Sequence, residues 1–194
     1  MNNSNRGVMK IANKLIAMQG TVVIILLMFS NGFTQPESDI RLTESNMKDW
    51  IKTRIETNKI QLEFKRNADQ YDDVPVAYFK ARNQWLESVG KDPEEWDEFS
   101  EWIYGVYSAL DEQRDIDEEK SRLSAELKEI DNNEFLTTEQ KEMMKSGMTQ
   151  VLDKREEVLE PFRDDFPVAV KFEDTFNKLN LWISGNTAEP PSIN

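Results

Sequence analysis

Apolar side chains recur along most of this chain at intervals of three and four residues rather than two, and breakers are few, with seven glycines and seven prolines in 194 residues. That period belongs to the α-helix, so the expected class is all-α. After a loose lead-in from Pro36 to Arg41, Thr43 is placed to cap a first helix that carries Met47, Trp50, Ile51, Ile55 and Leu62 on one side and fades near Asn67. The polar stretch Asp69 to Asp73 precedes Pro75 and reads as a loop. A second helix opens near Pro75 and presents Tyr78, Phe79, Arg82, Trp85, Leu86 and Val89 along one face. It stops at Gly90, which supplies a left-handed end.

The next start is the clearest local signal. Asp92 can accept from the amide of Glu95, Pro93 takes the first helical position, and Glu94 and Glu95 complement the positive end of the helix dipole. No breaker interrupts Glu94 to Ile130, yet the apolar stripe changes side. At about 100° per residue, Trp96, Phe99, Ile103, Val106, Tyr107 and Leu110 gather in one direction, while Ile116, Leu123, Leu127 and Ile130 lie nearly opposite, across the polar segment Asp111 to Glu119. One long helix with two packing partners is the expectation, about 55 Å long at roughly 1.5 Å per residue; a kink or restart at Asp115 and Glu118 is the alternative. After Asp131-Asn132-Asn133, Thr137 and Gln140 form a capping box for a fourth helix. Met143, Met144, Met148, Val151, Leu152, Val158 and Leu159 span one face of it until Pro161 ends or bends it. The short connection predicts an antiparallel hairpin. A fifth helix runs from about Pro167 through Phe172, Phe176, Leu179 and Ile183 to Gly185, and the tail, residues 186–194 with Pro190-Pro191, is expected to be disordered. Residues 37–185 thus predict a five-helix, partly elongated bundle with a long central helix and a helical hairpin.

The amino end follows different rules. Its only charges, Arg6, Lys10 and Lys14, are positive, an apolar run from Leu15 to Phe29 follows, and Ser30-Asn31-Gly32 puts small residues where a signal peptidase reads. Residues 1–32 therefore read as an export signal, which places the domain in the periplasm or outside the cell. The alternative is an uncleaved anchor that tethers the same domain to the membrane, although the apolar stretch from Ala17 to Phe33 is short of the roughly 20 residues of a comfortable span. Removing residues 1–32 takes away three basic and no acidic side chains, leaving 21 basic against 37 acidic, a net charge of −16. Such an excess argues against nucleic acid and anionic membrane surfaces as partners, since both need clustered Lys or Arg.

The chain has no cysteine and no histidine. An exported domain of this kind holds together by packing rather than disulfides, and Ser-His, Cys-His and imidazole-zinc chemistry are all excluded. No metal or other cofactor is expected. Asp131, Asn133, Glu139 and Glu142 fall on ligand positions of an EF-hand loop, but Phe135 and Leu136 stand where a ligand and the turn glycine belong, so an Asx turn before a capped helix is the better reading. Paired carboxylates could run glycosidase-like hydrolysis, yet no pair stands in an apolar setting that would separate two pKa values.

Aromatic residues are dense between Tyr71 and Tyr107, and the third helix carries an apolar arc of about 200°. Either that helix is covered on two sides as core, or Trp85, Trp96, Trp102, Tyr104 and Tyr107 line a partner-binding groove, since Trp and Tyr are enriched at binding hot spots. Leu136-Thr137-Thr138-Glu139-Gln140 reads L-T-x-x-Q, with Leu42-Thr43-Glu44-Ser45-Asn46 one residue away from the same pattern. The pattern resembles the short motif of the periplasmic stress proteins Spy and CpxP, which implies a small, exported, all-helical chaperone. The resemblance covers ten residues, and the strong acidity and wide separation of the two pentapeptides depart from that family. Together these features predict an exported, non-catalytic, protein-interacting or chaperone-like envelope factor, with a carboxylate-dependent hydrolase as the alternative.

Overall fold

The computed structural model describes residues 41–193; residues 1–32, read above as an export signal, lie outside the described residues. The described chain is all-α, with no strand among the described residues. Its helices are α1 (Glu44–Arg66), α2 (Val74–Ser88), α3 (Pro93–Asp131), α4 (Thr138–Leu159) and α5 (Phe166–Ile183), joined in part by 3-10 turns at Ala68–Gln70 and Glu160–Asp165. The first of these turns falls partly inside the stretch read as loop. There the ring of Tyr71 lies 4.6 Å from that of Phe64, fastening the turn to the last part of α1.

The helix ends follow local chemistry closely. At α1 the Thr43 hydroxyl accepts from the Asn46 amide at 3.2 Å while the Asn46 side chain accepts from the Thr43 amide at 2.7 Å. Thr137 and Gln140 form the same reciprocal pair at α4, at 3.2 and 2.9 Å. Asparagine therefore closes a capping box as well as glutamine does here, which explains the second pentapeptide as a helix start. Asp92 accepts from the amides of Glu94 and Glu95 at the start of α3. Beyond α2, Gly90 adopts φ 76°, the Lys91 amide donates to the Leu86 carbonyl, and the Gly90 amide donates to that of Glu87, a Schellman end.

Residues 41–108 and 162–193 form one compact unit, and Ala109–Pro161 a second. In the first, α1 packs against α2 and α5. Met47, Trp50, Ile51, Leu86, Ile103, Val106 and Leu179 are essentially inaccessible to solvent. The Phe176 ring is a hub: Tyr107 stacks on it at 3.7 Å, Tyr104 meets it edge-on at 5.5 Å and Trp50 stacks at 6.1 Å. On α2 the buried stripe is Tyr78, Arg82 and Leu86, spaced by four, whereas Phe79 and Val89 face solvent. The expected wider face is corrected accordingly. Arg82 belongs inside because its guanidinium makes two bonds to Asp97, at 2.9 and 2.7 Å, and lies over the rings of Phe79 and Trp96.

One carboxylate ties this unit together. Asp165 is 1% exposed, and its two oxygens accept from the Leu42 amide at 2.9 Å and from Trp102 Nε1 at 2.7 Å. Trp102 also stacks on Phe162 at 4.7 Å. The chain leading into α1, the middle of α3's first half and the residue before α5 thus meet at one acid.

In the second unit, the rest of α3 and α4 run antiparallel, as their cross-pairs record: Arg155 with Glu112 and Glu119, Lys120 with Glu156, Lys145 with Asp131. Ile116, Leu123, Ile130, Met148, Leu152 and Leu159 are buried there. Glu112 and Glu119 stand seven residues apart on one face of α3, so a single guanidinium on α4 reaches both. Burial alone would depress the Arg155 pKa, but the bonds to Glu112 and then Glu119 outweigh it and hold the pKa above its ordinary value. Met143, expected on the buried face of α4, is 71% exposed and is corrected to a surface residue.

Three substitutions test this packing. Trp102→Ala is expected to cost about 3–5 kcal/mol through cavity formation, and Trp102→Phe about 1–3 kcal/mol by leaving a buried carboxylate oxygen unpaired. Both are read as shifts in urea midpoint, and a Phe variant as stable as the parent would remove the Asp165 bond from this account. Gly147 lies inside α4, where an added Cβ meets nothing within 4 Å. Gly147→Ala should therefore stabilise by about 0.5–1 kcal/mol through helix propensity alone, seen as a raised thermal midpoint.

Candidate interaction surfaces

The aromatic residues that sequence pattern nominated for partner binding do not share one surface. Trp96, Trp102 and Tyr107 are 6%, 5% and 7% exposed, Trp85 is half-buried, and Tyr104 is 38% exposed. Trp102 and Tyr107 spend their polar atoms internally, Trp102 on Asp165 and Tyr107 by donating from Oη to the Ala169 carbonyl at 3.0 Å. Even Tyr104 leans its ring on Trp50 and Phe176. Of the two readings of the broad arc, these positions match a helix covered on more than one side. Burial pushes the Tyr107 hydroxyl well above its ordinary value of 10.0, with the charge of Glu173 adding to the effect.

Among the described residues the large apolar side chain most exposed to water is instead Phe135, at 83%. It sits in the α3–α4 connection of the second unit, and that connection is tightly braced. The Asn133 side chain accepts from the Phe135 amide at 2.9 Å, an Asx turn, and the Thr137–Gln140 box follows two residues later. Lys141 Nζ donates to the Asp131 carbonyl at 2.7 Å, and Lys145 bridges the carboxylates of Asp131, at 2.9 Å, and Glu142, at 2.8 Å. These bonds, Glu142 first and then Asp131, raise the Lys145 pKa. Met143 stands exposed less than two turns into α4. Of the four side chains at EF-hand ligand positions, Asp131 and Glu142 are thus engaged with lysine and Asn133 with backbone, and no cluster of three or more acidic, His or Cys side chains suited to a metal occurs among the described residues.

Sequence reasoning passed over Phe135 because it belongs to no helical stripe. The signal was present all the same: a large apolar residue between an Asx-forming Asn133 and a capping Thr137 has no helix face to join, and burial in so short a connection is hard to arrange.

The first unit contains a cavity of about 840 Å³ where the start of α1, α5 and the carboxyl-terminal tail converge. Lys48, Lys171 and Lys178 line it together with Glu44, Asp174 and Glu189, and Pro190 and Pro191 form part of its wall. Residues 186–193 adopt no helix or strand. Lys171 hydrogen-bonds to Glu44 and holds that carboxyl below its ordinary value, and Lys178 pairs with Asp174 at 2.6 Å. A general acid for glycoside hydrolysis needs the opposite environment, one that keeps a carboxyl protonated near neutral pH. The cavity's charges are largely spent on one another.

Among the described residues no helix is long and apolar enough to cross a membrane. Comparison with protein-family models, with curated proteins and with solved structures finds no match for this chain.

The raised Tyr107 pKa has a signed consequence. Its contribution to stability is whole below pH 10.0, the ordinary value, and declines as pH rises further, because the unfolded chain then releases a proton that the fold retains. Urea unfolding followed from about pH 9 to about pH 11.5 should show a steeper loss for the parent than for Tyr107→Phe. Equal slopes would mean that the hydroxyl ionises as freely in the fold as in the coil.

Proposed function

We propose that this chain is an exported, non-catalytic helical protein of the periplasm or cell exterior that binds another protein, in a scaffolding or chaperone-like role. The observation that carries the reading is the braced α3–α4 connection holding Phe135 in water at 83% exposure, with Met143 at 71% nearby in the chain. Leaving a phenyl ring solvated forgoes about 1.5–3 kcal/mol of burial, and a loop fixed by five or more hydrogen bonds loses little further entropy when that ring is buried by a partner. Export is supported by the basic flank and apolar run of residues 1–32. Retention of that run as an anchor is the membrane-tethered form of the same proposal.

The test uses the mature protein immobilised and exposed to an envelope fraction. The parent should retain a partner that Phe135→Ser/Met143→Ser loses by about tenfold or more, with the helical circular-dichroism signal unchanged. Equal retention by both would remove the hairpin from the reading. Fractionation and amino-terminal sequencing test the compartment, with a mature terminus near Phe33 expected.

A further inference from the structure

We infer that the α3–α4 hairpin tip docks its Phe135 ring into an apolar pocket with a basic rim on a folded protein partner; this rests on the interaction reading above and adds the partner's chemistry. The ring is surrounded in the chain by carboxylates. Between Glu129 and Glu142 stand five acidic residues, Glu129, Asp131, Glu134, Glu139 and Glu142, against the single cation Lys141. Lys145 offsets two of these, Asp131 and Glu142. Glu129, Glu134 and Glu139 are exposed and enter no salt bridge among the described residues. The tip therefore presents one protruding apolar group inside a negative field.

A matching surface must supply a hole for the ring and positive charge around it, because like charges facing each other oppose docking while complementary ones speed encounter and fix register. Charge removes the competing occupants. A second copy of this chain carries the same net charge of −13 and the same acidic tip, and an anionic lipid surface repels carboxylates. Aromatic insertion with a charged rim also fits the usual anatomy of a small interface, in which a buried anchor supplies most of the affinity and the polar periphery the specificity. The Asx turn, the capping box and the Lys141 and Lys145 bonds hold the loop in place before the partner arrives.

The experiment places the photoreactive side chain p-benzoylphenylalanine at position 135 of the full chain and irradiates intact cells that express it. The proposal expects one dominant adduct with a protein of basic net charge. Its yield should fall about tenfold when purified components are irradiated at about 500 mM rather than about 50 mM salt. It should fall at least about fivefold when Glu134→Lys and Glu139→Lys are added to the photoreactive chain, with helicity preserved. An adduct at twice the mass of this chain, a lipid adduct, or a protein adduct indifferent to salt and to charge reversal would overturn the basic-rimmed partner. The last of these would leave the interaction reading standing. Absence of any adduct, combined with equal retention by parent and Phe135→Ser/Met143→Ser in the envelope experiment, would remove both.

Discussion

The Asp165 carboxylate is the constraint on which the larger unit turns. An acid almost wholly withdrawn from water is costly unless its oxygens find donors, and here both donors come from far along the chain, 123 and 63 residues away. Any arrangement that strands one of them leaves a charged acceptor unpaired in a low-dielectric setting. The carboxylate thus adds specificity to an aromatic core whose stacking on Phe176 and Phe162 is strong but tolerant of small shifts. Asp165 precedes α5 without capping it, since its side chain is engaged elsewhere. Tertiary need has overridden the local role that an aspartate before a helix usually plays.

The second unit solves the same problem with charge pairs. Arg155 is mostly enclosed and divides its guanidinium between Glu112 and Glu119, joining two turns of α3 to one of α4. Arg82 does the equivalent for α2 and α3 through Asp97. A guanidinium suits both sites because it keeps its charge when desolvated and offers donors in a fixed plane. The bundle therefore accepts charged residues inside without a disulfide anywhere in the chain.

What could be read beforehand was local. Caps at Thr43, Asp92 and Thr137, the left-handed Gly90 and the unbroken run of α3 depend on neighbours within a few residues, and the pattern of side chains carries that information directly. Periodicity places Tyr78, Arg82 and Leu86 on the inner face of α2 and puts Phe79 and Val89 there too, because it fixes the direction of a stripe and not its width. The aromatic cluster was visible as composition, yet whether Trp102 and Tyr107 face a partner or a core depends on where Asp165 and Ala169 arrive in space. Thr53, Thr57 and Asn58, buried on α1, gave no sign of their position at all, since polar residues spaced along a helix ordinarily mark its wet side. Phe135 was missed for the converse reason. Hydrophobicity alone predicts burial, and an exposed ring is recognisable only once the loop around it is seen to be rigid.

The choice of arginine for the inner ion pairs, in a chain with no histidine, reaches beyond packing. No side chain here has an ordinary pKa near neutrality, the range in which imidazole switches charge. The pairs that join α2 to α3 and α3 to α4 are made entirely from guanidinium, ammonium and carboxylate groups, types whose ordinary pKa values lie well away from neutrality. A scaffold built this way carries no imidazole switch, so its inner ion pairs offer no handle for regulation by a change of acidity around neutrality.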